Sequence, residues 1–176
     1  MKKSVLALVL LAASFNFAFV SKVFSASTDP AFTEIWAYLM KGEERFLNQN
    51  YGITDIGYFA GEIDNFGKLT GVPNRSKIAN FNGRIHLVIA QVSNRALTHF
   101  ALDPQYNIRE KLIDDIVKAT QNFDGLQIDF ELVAPQDREY FYTFLIALKE
   151  RISPKPLSIA IGARTKYVDD AYEYEK

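Results

Sequence analysis

Short runs of apolar residues alternate along this chain with longer segments in which apolar residues recur every three or four positions. The short runs are almost continuously hydrophobic, which is typical of strands buried on both faces of a parallel sheet. They predict five strands, at residues 34–40, 53–63, 85–92, 123–133 and 157–163. The second of these strands is followed by Asp64-Asn65-Phe66-Gly67, a composition that predicts a turn.

The longer segments predict two clear helices. In residues 107–122 the helical spacing is carried by Ile108, Leu112, Ile113, Ile116 and Val117. Asn107 followed by Glu110 resembles a capping box at the start of this helix. The second helix begins with Pro135 in its first turn and ends before Pro154. Its apolar stripe consists of Phe141, Phe144, Leu145, Leu148 and Ile152.

Strands that alternate with helices predict an α/β fold with a parallel sheet. A (β/α)8 barrel takes about 250 residues, with about 200 as the low end, and the body of this chain is shorter. By length alone, a doubly wound open sheet of five strands fits better. The chain has no GxGxxG or P-loop motif, so nothing in it points to a nucleotide site.

Composition narrows the possible functions. The chain is 48% hydrophobic, which indicates a folded protein, and its formal net charge is -1 with no basic block, which argues against a nucleic-acid partner. Because there is no cysteine, disulfides, thiolate chemistry and cysteine-type zinc sites are excluded. The two histidines, His86 and His99, have a spacing that matches no common metal pair. We expect no metal and no cofactor.

Residues 1–26 have the layout of a secretory signal peptide. Lys2 and Lys3 precede an apolar stretch, and small residues follow at positions 25–27. The alternative is an uncleaved anchor, which would be the only membrane attachment. Either way, residues 27–176 are expected to be exported, so that the protein is secreted or periplasmic.

The fourth predicted strand, FDGLQIDFELV, carries an unusual number of polar groups. Because side chains of a strand alternate between its faces, Leu126, Ile128 and Phe130 point one way. Gln127, Asp129 and Glu131 point the other way and approach the carboxyl end of the strand, where α/β proteins bind ligands. Asp124 lies where the loop enters the strand, and we expect it to hold that turn or to bond to this row.

Two neighbouring carboxylates on one face cost several kcal/mol if they are buried without partners, a cost that is usually tolerated where chemistry uses it. The row itself leaves other interpretations open. It could be a solvated strand end, or a site for a divalent cation such as magnesium or calcium.

The segment DGLQIDFE resembles the signature of glycoside hydrolase family 18, the chitinase-like family, whose pattern is Asp-x-x-Asp-x-Asp-x-Glu. Asp124, Asp129 and Glu131 match it, and Gln127 replaces the second Asp, so the resemblance implies these four as the candidate catalytic residues. The segments ITDIGYFAGEIDNFGKL, REKLIDDIV, LSIAIGAR and DDAYEYEK are similar to family segments before and after the signature, so the resemblance covers residues 36–176. It implies a TIM-type barrel, of which this chain would supply about the first five strands.

The resemblance also implies a substrate-assisted retaining mechanism on glycans that contain β-1,4-linked N-acetylglucosamine, either peptidoglycan or chitin. Glu131 would be the general acid and base. Asp129 would hydrogen-bond the acetamido N–H, and its nearness would keep Glu131 protonated. Tyr38, Tyr58 and Arg164 are the candidate substrate-binding residues, since they lie in or after strands whose ends would line the sugar cleft.

The sequence departs from the family pattern in three places. Gln127 cannot share a proton with Asp129, and the third predicted strand ends in AQVSNRAL without the family's Ser-x-Gly-Gly. Both features resemble the branch related to spore-cortex and peptidoglycan lysis. Counterparts of the family's later strands are missing before Lys176, so we expect an incomplete barrel that needs a further segment or another chain to complete it. The alternative function is a non-catalytic glycan-binding relative or a remnant of such an enzyme.

Overall fold

Five parallel strands lie side by side in the order in which they follow along the chain. The computed structural model describes residues 32–131, 133–163 and 170–172. The chain divides into the units Met1–Thr33 and Glu34–Lys176, and nearly all of the described residues belong to the second. The strand order is β1-β2-β4-β5-β6, and a short β3 pairs antiparallel with β2. The strands are β1 Trp36–Met40, β2 Asp55–Ile63, β3 Leu69–Thr70, β4 Arg84–Gln91, β5 Gly125–Phe130 and β6 Leu157–Ile159.

The strand order decides between a doubly wound sheet, which the chain length favours, and part of a barrel, which the family resemblance implies. Apart from the short β3, each strand pairs in parallel with the next strand along the chain. The strand order in the sheet therefore never reverses. A doubly wound sheet requires a reversal at its switch point. The α/β prediction is confirmed, and the sheet has the topology of consecutive strands of a (β/α) barrel.

The described residues contain three α-helices: α1 Arg95–Leu102 and α2 Arg109–Thr120 lie between β4 and β5, and α3 Arg138–Ile152 lies between β5 and β6. Sequence analysis missed α1, which the Asn94 side chain caps by accepting a hydrogen bond from the N–H of Leu97 at 3.0 Å. The capping box predicted at Asn107 is wrong. The N-cap of α2 is Ile108, which makes no side-chain capping hydrogen bond.

The two faces of β5 have different surroundings. Its outer face, which carries Leu126, Ile128 and Phe130, is fully buried. The Phe130 ring lies 6.1 Å from that of Phe141 and 5.8 Å from that of Phe144, centroid to centroid, so α3 packs on this face as its apolar stripe predicts. The opposite or inner face carries Gly125, Gln127 and Asp129.

The turn after β2 forms as its composition predicts. Asp64 accepts hydrogen bonds at its Oδ1 from the N–H groups of Phe66 and Lys68, each at 2.9 Å. Gly67 has φ of +75°, a conformation that side chains other than glycine rarely adopt. No helix within residues 32–131, 133–163 and 170–172 is long and apolar enough to cross a membrane. The predicted leader, residues 1–26, lies outside the described residues.

Candidate active site

Gln127 and Asp129 lie on the inner face of β5, as strand alternation predicts. In the parallel ladder Gln127 pairs with Val88 of β4 and with Ser158 of β6, and Asp129 pairs with Ala90 of β4. β5 ends at Phe130, one residue earlier than Glu131. The row therefore begins inside the sheet and ends at its carboxyl edge.

Glu131 continues the ladder although it lies outside the strand. Its N–H donates to the carbonyl oxygen of Gln91 at 3.0 Å, which fixes its backbone to the end of β4. Its side chain is exposed. A carboxyl group in this position can reach a ligand while its backbone is held by two neighbouring strands.

Asp129 is half-buried, and its environment disfavours the charged form. Burial, and then the nearby charge of Glu131, raise the pKa of the Asp129 carboxyl above its usual value of 3.8. Its side chain makes no hydrogen bond to any part of the chain that the structure describes. A carboxyl group that has a raised pKa and accepts no hydrogen bond from the described chain is typical of a functional site.

Gln127 is 6% exposed, and its Oε1 is enclosed with no hydrogen-bond partner among the described residues. The Oγ of Ser158, its register neighbour on β6, is also enclosed and unpartnered there. Buried polar atoms are rarely left in this state. Sequence analysis missed Ser158, because a lone serine in a short strand carries no signal until the register is known.

Asp124 lies apart from this row, at the amino end of β5. Its Oδ2 accepts hydrogen bonds from the N–H of Ile85 at 2.9 Å and from Arg75 at 3.0 Å. Burial raises the pKa of Asp124, but these two hydrogen bonds outweigh it and hold the pKa below 3.8. At about 3.3 Å per residue, Asp124 is about 16 Å from Asp129 along the strand. It holds the turn into β5, which is one of the two roles expected for it.

The two candidate tyrosines lie on opposite faces of the sheet. Tyr38 is on the inner face and 59% exposed, in register with Gly57, where a Cβ would stand 2.6 Å from the tyrosine ring. Tyr58 is on the outer face, fully buried, and donates a hydrogen bond to Glu44. The structure therefore does not bring Tyr58 to the inner face. Arg164 lies outside the described residues.

A polar cleft of about 250 Å³ lies at the carboxyl ends of β2 and β4. Its lining includes Glu62, Asn65, Ala90, Gln91 and Asn94. Ala90 is the register partner of Asp129, and Gln91 is the residue that holds Glu131. Asp129 and Glu131 line neither this cleft nor a larger one of about 490 Å³ beside Arg75 and Phe123.

Within residues 32–131, 133–163 and 170–172, no group of three histidine or carboxylate side chains is placed to hold a metal ion.

Comparison with known proteins gave matches only among solved structures; neither a family model nor a curated protein matches. The spore cortex-lytic enzyme SleL of Bacillus cereus is 30% identical, over 72% of this chain and 34% of that protein, with a TM-score of 0.60. The chitinase domain of the spore coat protein CotE of Clostridium difficile is 21% identical, over 77% of this chain and 44% of that protein, with a TM-score of 0.60. The GH18 chitinase ChiB of Flavobacterium johnsoniae is 18% identical, over 81% of this chain and 50% of that protein, with a TM-score of 0.62.

The resemblance to family 18 is confirmed at the level of fold. The chain has a chitinase-like glycoside hydrolase family 18 fold and spans between a third and a half of the length of these three proteins. The matched proteins have TIM barrels, and the parallel strands described here correspond to part of such a barrel.

Proposed function

We propose that the chain is, or is part of, a glycoside hydrolase that cleaves glycans containing β-1,4-linked N-acetylglucosamine. The observation that carries this proposal is the pair formed by Asp129 and Glu131. A half-buried carboxyl with a raised pKa precedes an exposed carboxyl on the same edge of a family 18-like sheet. This edge is where α/β barrels carry out chemistry.

The reaction proposed for these two groups is the substrate-assisted one that the resemblance to family 18 implies. Glu131 gives its proton to the glycosidic oxygen as the bond from that oxygen to C1 breaks. The acetamido oxygen of the same sugar forms the new bond to C1, which produces a cyclic oxazolinium cation. Water then attacks C1 as the bond from C1 to the acetamido oxygen breaks, and Glu131 takes a proton from that water. The acetamido group and Glu131 are regenerated, and the configuration at C1 is retained.

Asp129 acts on the acetamido group. Its carboxylate accepts the acetamido N–H, which turns the acetamido oxygen toward C1, and it stabilises the positive charge that develops on the ring. Burial makes this charge interaction stronger than it would be in water. The side chain has this acceptor available, since nothing in the described part of the chain hydrogen-bonds it.

The substrate class proposed is peptidoglycan or chitin. Gln127 in place of the second signature Asp resembles the cell-wall-lytic branch, and the match at 30% identity is to a spore cortex-lytic enzyme. Such glycans lie outside the cytoplasm, and we propose that residues 1–26 export the chain to them. Of the candidate binding residues, Tyr38 has the exposure that stacking on a sugar ring requires.

The test is hydrolysis of purified peptidoglycan, of chitin oligosaccharides and of a chromogenic chitobioside by the full chain and by Glu131→Gln. We expect turnover by the parent, none by Glu131→Gln, and retained glycan binding by both. Equal turnover by the two proteins would remove Glu131 from the acid role. Binding without turnover by the parent would favour the glycan-binding alternative, and activity lost on EDTA treatment would favour the metal site.

A further inference from the structure

The peptide group that joins Phe130 to Glu131 is held by hydrogen bonds on both of its sides. On the β4 side, the N–H of Glu131 donates to the carbonyl oxygen of Gln91 at 3.0 Å. On the β6 side, the carbonyl oxygen of Phe130 accepts a hydrogen bond from the hydroxyl of Tyr172 at 2.5 Å. Because the N–H and the C=O of one trans peptide group point in opposite directions, the two bonds together fix the orientation of its plane.

The Tyr172 hydroxyl stands where the ladder between β5 and β6 has ended. β6 ends at Ile159, and the N–H of Ala160 donates to the carbonyl oxygen of Ile128 at 2.9 Å. Since every second residue of a strand faces the same neighbouring strand, the carbonyl of Phe130 is the next acceptor on this side of β5. It receives a side-chain hydroxyl from 42 residues farther along the chain.

The ring of Tyr172 is held by packing, which directs its hydroxyl toward β5. The ring stands edge-on to that of Phe141 in α3, with centroids 5.5 Å apart and an angle of 79° between the planes. The backbone N–H of Tyr172 donates to the Asp170 carboxylate at 2.9 Å. Part of the entropy that a free tyrosine would lose in reaching Phe130 is therefore already lost when the ring packs.

The preceding residue, Ala171, is bound to the segment that follows Glu131. Ala171 is fully buried, and its N–H donates to the carbonyl oxygen of Val133 at 2.9 Å. Its own carbonyl oxygen accepts from the Nε of Arg138 at 3.1 Å. Residues 171 and 172 thus bind the backbone immediately before Glu131 and two residues after it.

We propose that Tyr172 is a positioning residue for Glu131, acting through the peptide group between Phe130 and Glu131. The role rests on the proposed function, because Glu131 matters here as the general acid and base. A proton donor has to stay within hydrogen-bond reach of the glycosidic oxygen. The exposed side chain of Glu131 obtains little restraint from packing, so its backbone has to supply that restraint.

Amide hydrogen exchange, followed by NMR on the ¹⁵N-labelled full chain, tests whether Tyr172 holds Glu131. The comparison is between the parent and Tyr172→Phe, which loses the hydroxyl and keeps the ring. Tyr142→Phe, in α3, is the matched control for loss of a tyrosine hydroxyl. We expect the amide of Glu131 to exchange about 2- to 10-fold faster in Tyr172→Phe, as for the loss of one hydrogen bond.

The amide of Asp124 is the internal reference for these exchange rates. It donates to the carbonyl oxygen of Ile85 at 2.8 Å, at the amino end of the same strand. Its exchange should be the same in Tyr172→Phe as in the parent, because the lost hydroxyl acts at the carboxyl end. A general loss of stability would instead accelerate both amides.

Hydrolysis of chitin oligosaccharides and of purified peptidoglycan by the same three proteins tests the consequence for catalysis. We expect kcat of Tyr172→Phe to fall about 10-fold while KM stays close to that of the parent, since a displaced proton donor slows the chemical step. Tyr142→Phe should match the parent in both constants.

Unchanged exchange of the Glu131 amide in Tyr172→Phe overturns the proposal. Equal acceleration at Glu131 and Asp124 also overturns it, because Tyr172 would then contribute only to general stability. Faster exchange at Glu131 with the kcat of the parent removes Tyr172 from catalysis. A parent without turnover on either glycan would disprove the proposed function, and the exchange rates would still decide whether Tyr172 holds Glu131.

Discussion

The backbone N–H of Glu131 donates to the carbonyl oxygen of Gln91 one residue beyond the end of β5. The ladder hydrogen bonding therefore extends one residue beyond the strand, and it ties the backbone of Glu131 to the end of β4. Two residues earlier, Asp129 is held inside the strand on the inner face. This difference between an exposed and a half-buried carboxyl supports different roles for the two acids.

Asp129→Asn should abolish hydrolysis and stabilise the fold. Because the folded-state pKa of Asp129 is raised, the folded chain binds this proton more tightly than the unfolded chain. Stability is therefore lost as pH rises through the raised value. We expect Asp129→Asn to increase the free energy of unfolding at neutral pH, and to have no such effect at pH values below the unfolded pKa, where the parent carboxyl is protonated in both states.

Urea denaturation at several pH values measures this change. Glu131→Gln is the matched comparison, since its exposed side chain should alter stability little while also abolishing turnover. A fold that Asp129→Asn destabilises at neutral pH would contradict the electrostatic reasoning.

Acid should weaken the turn held by Asp124. Its folded-state pKa lies below 3.8, so its contribution is fully present above that value and is lost as pH falls through the folded pKa. We expect Asp124→Asn to lower the melting temperature at neutral pH, and the difference from the parent to shrink as the solution becomes more acidic. Melting curves across that range test this, and a constant difference would point to lost packing instead.

Sequence pattern predicted the strands and the inner row well, because alternation of Gln127, Ile128 and Asp129 fixes which side chains share a face. The prediction that Tyr58 binds substrate was wrong, because both faces of β2 are largely apolar. The pattern therefore cannot distinguish the helix-packed face of β2 from its inner face. Helix α1 was missed because it has only eight residues. Its signal was Asn94 followed by Leu97 and Ala101 at helical spacing. The pairing of Gln127 with Ser158 depends on register across strands far apart in sequence.

Lys155→Met should destabilise the packing of α2 against the segment after α3. The Lys155 ammonium donates to the carbonyl oxygens of Thr120, Gln121 and Phe123 at 2.9, 2.8 and 2.6 Å, at the carboxyl end of α2. A cation here satisfies carbonyls that the helix leaves unpaired and complements its dipole.

The expected loss for Lys155→Met is about 1 to 3 kcal/mol in the free energy of unfolding, as for hydrogen bonds to charged groups. Urea denaturation measures it, with Lys149→Met in the exposed last turn of α3 as the control for removal of one charge. Equal stability of the two variants would show that the three contacts contribute nothing measurable.

The two tyrosines should respond differently to substitution because they lie on opposite faces of the sheet. Tyr38→Ala removes an exposed inner-face ring, and we expect it to weaken oligosaccharide binding about 3- to 10-fold while stability stays close to that of the parent. Tyr58→Phe removes a buried hydroxyl that donates to Glu44, and we expect lower stability with unchanged glycan affinity. Isothermal titration with a chitin oligosaccharide, together with thermal melting of each variant, separates the two effects. Weaker glycan binding by Tyr58→Phe and not by Tyr38→Ala would reverse the assignment of the sugar-facing side of the sheet.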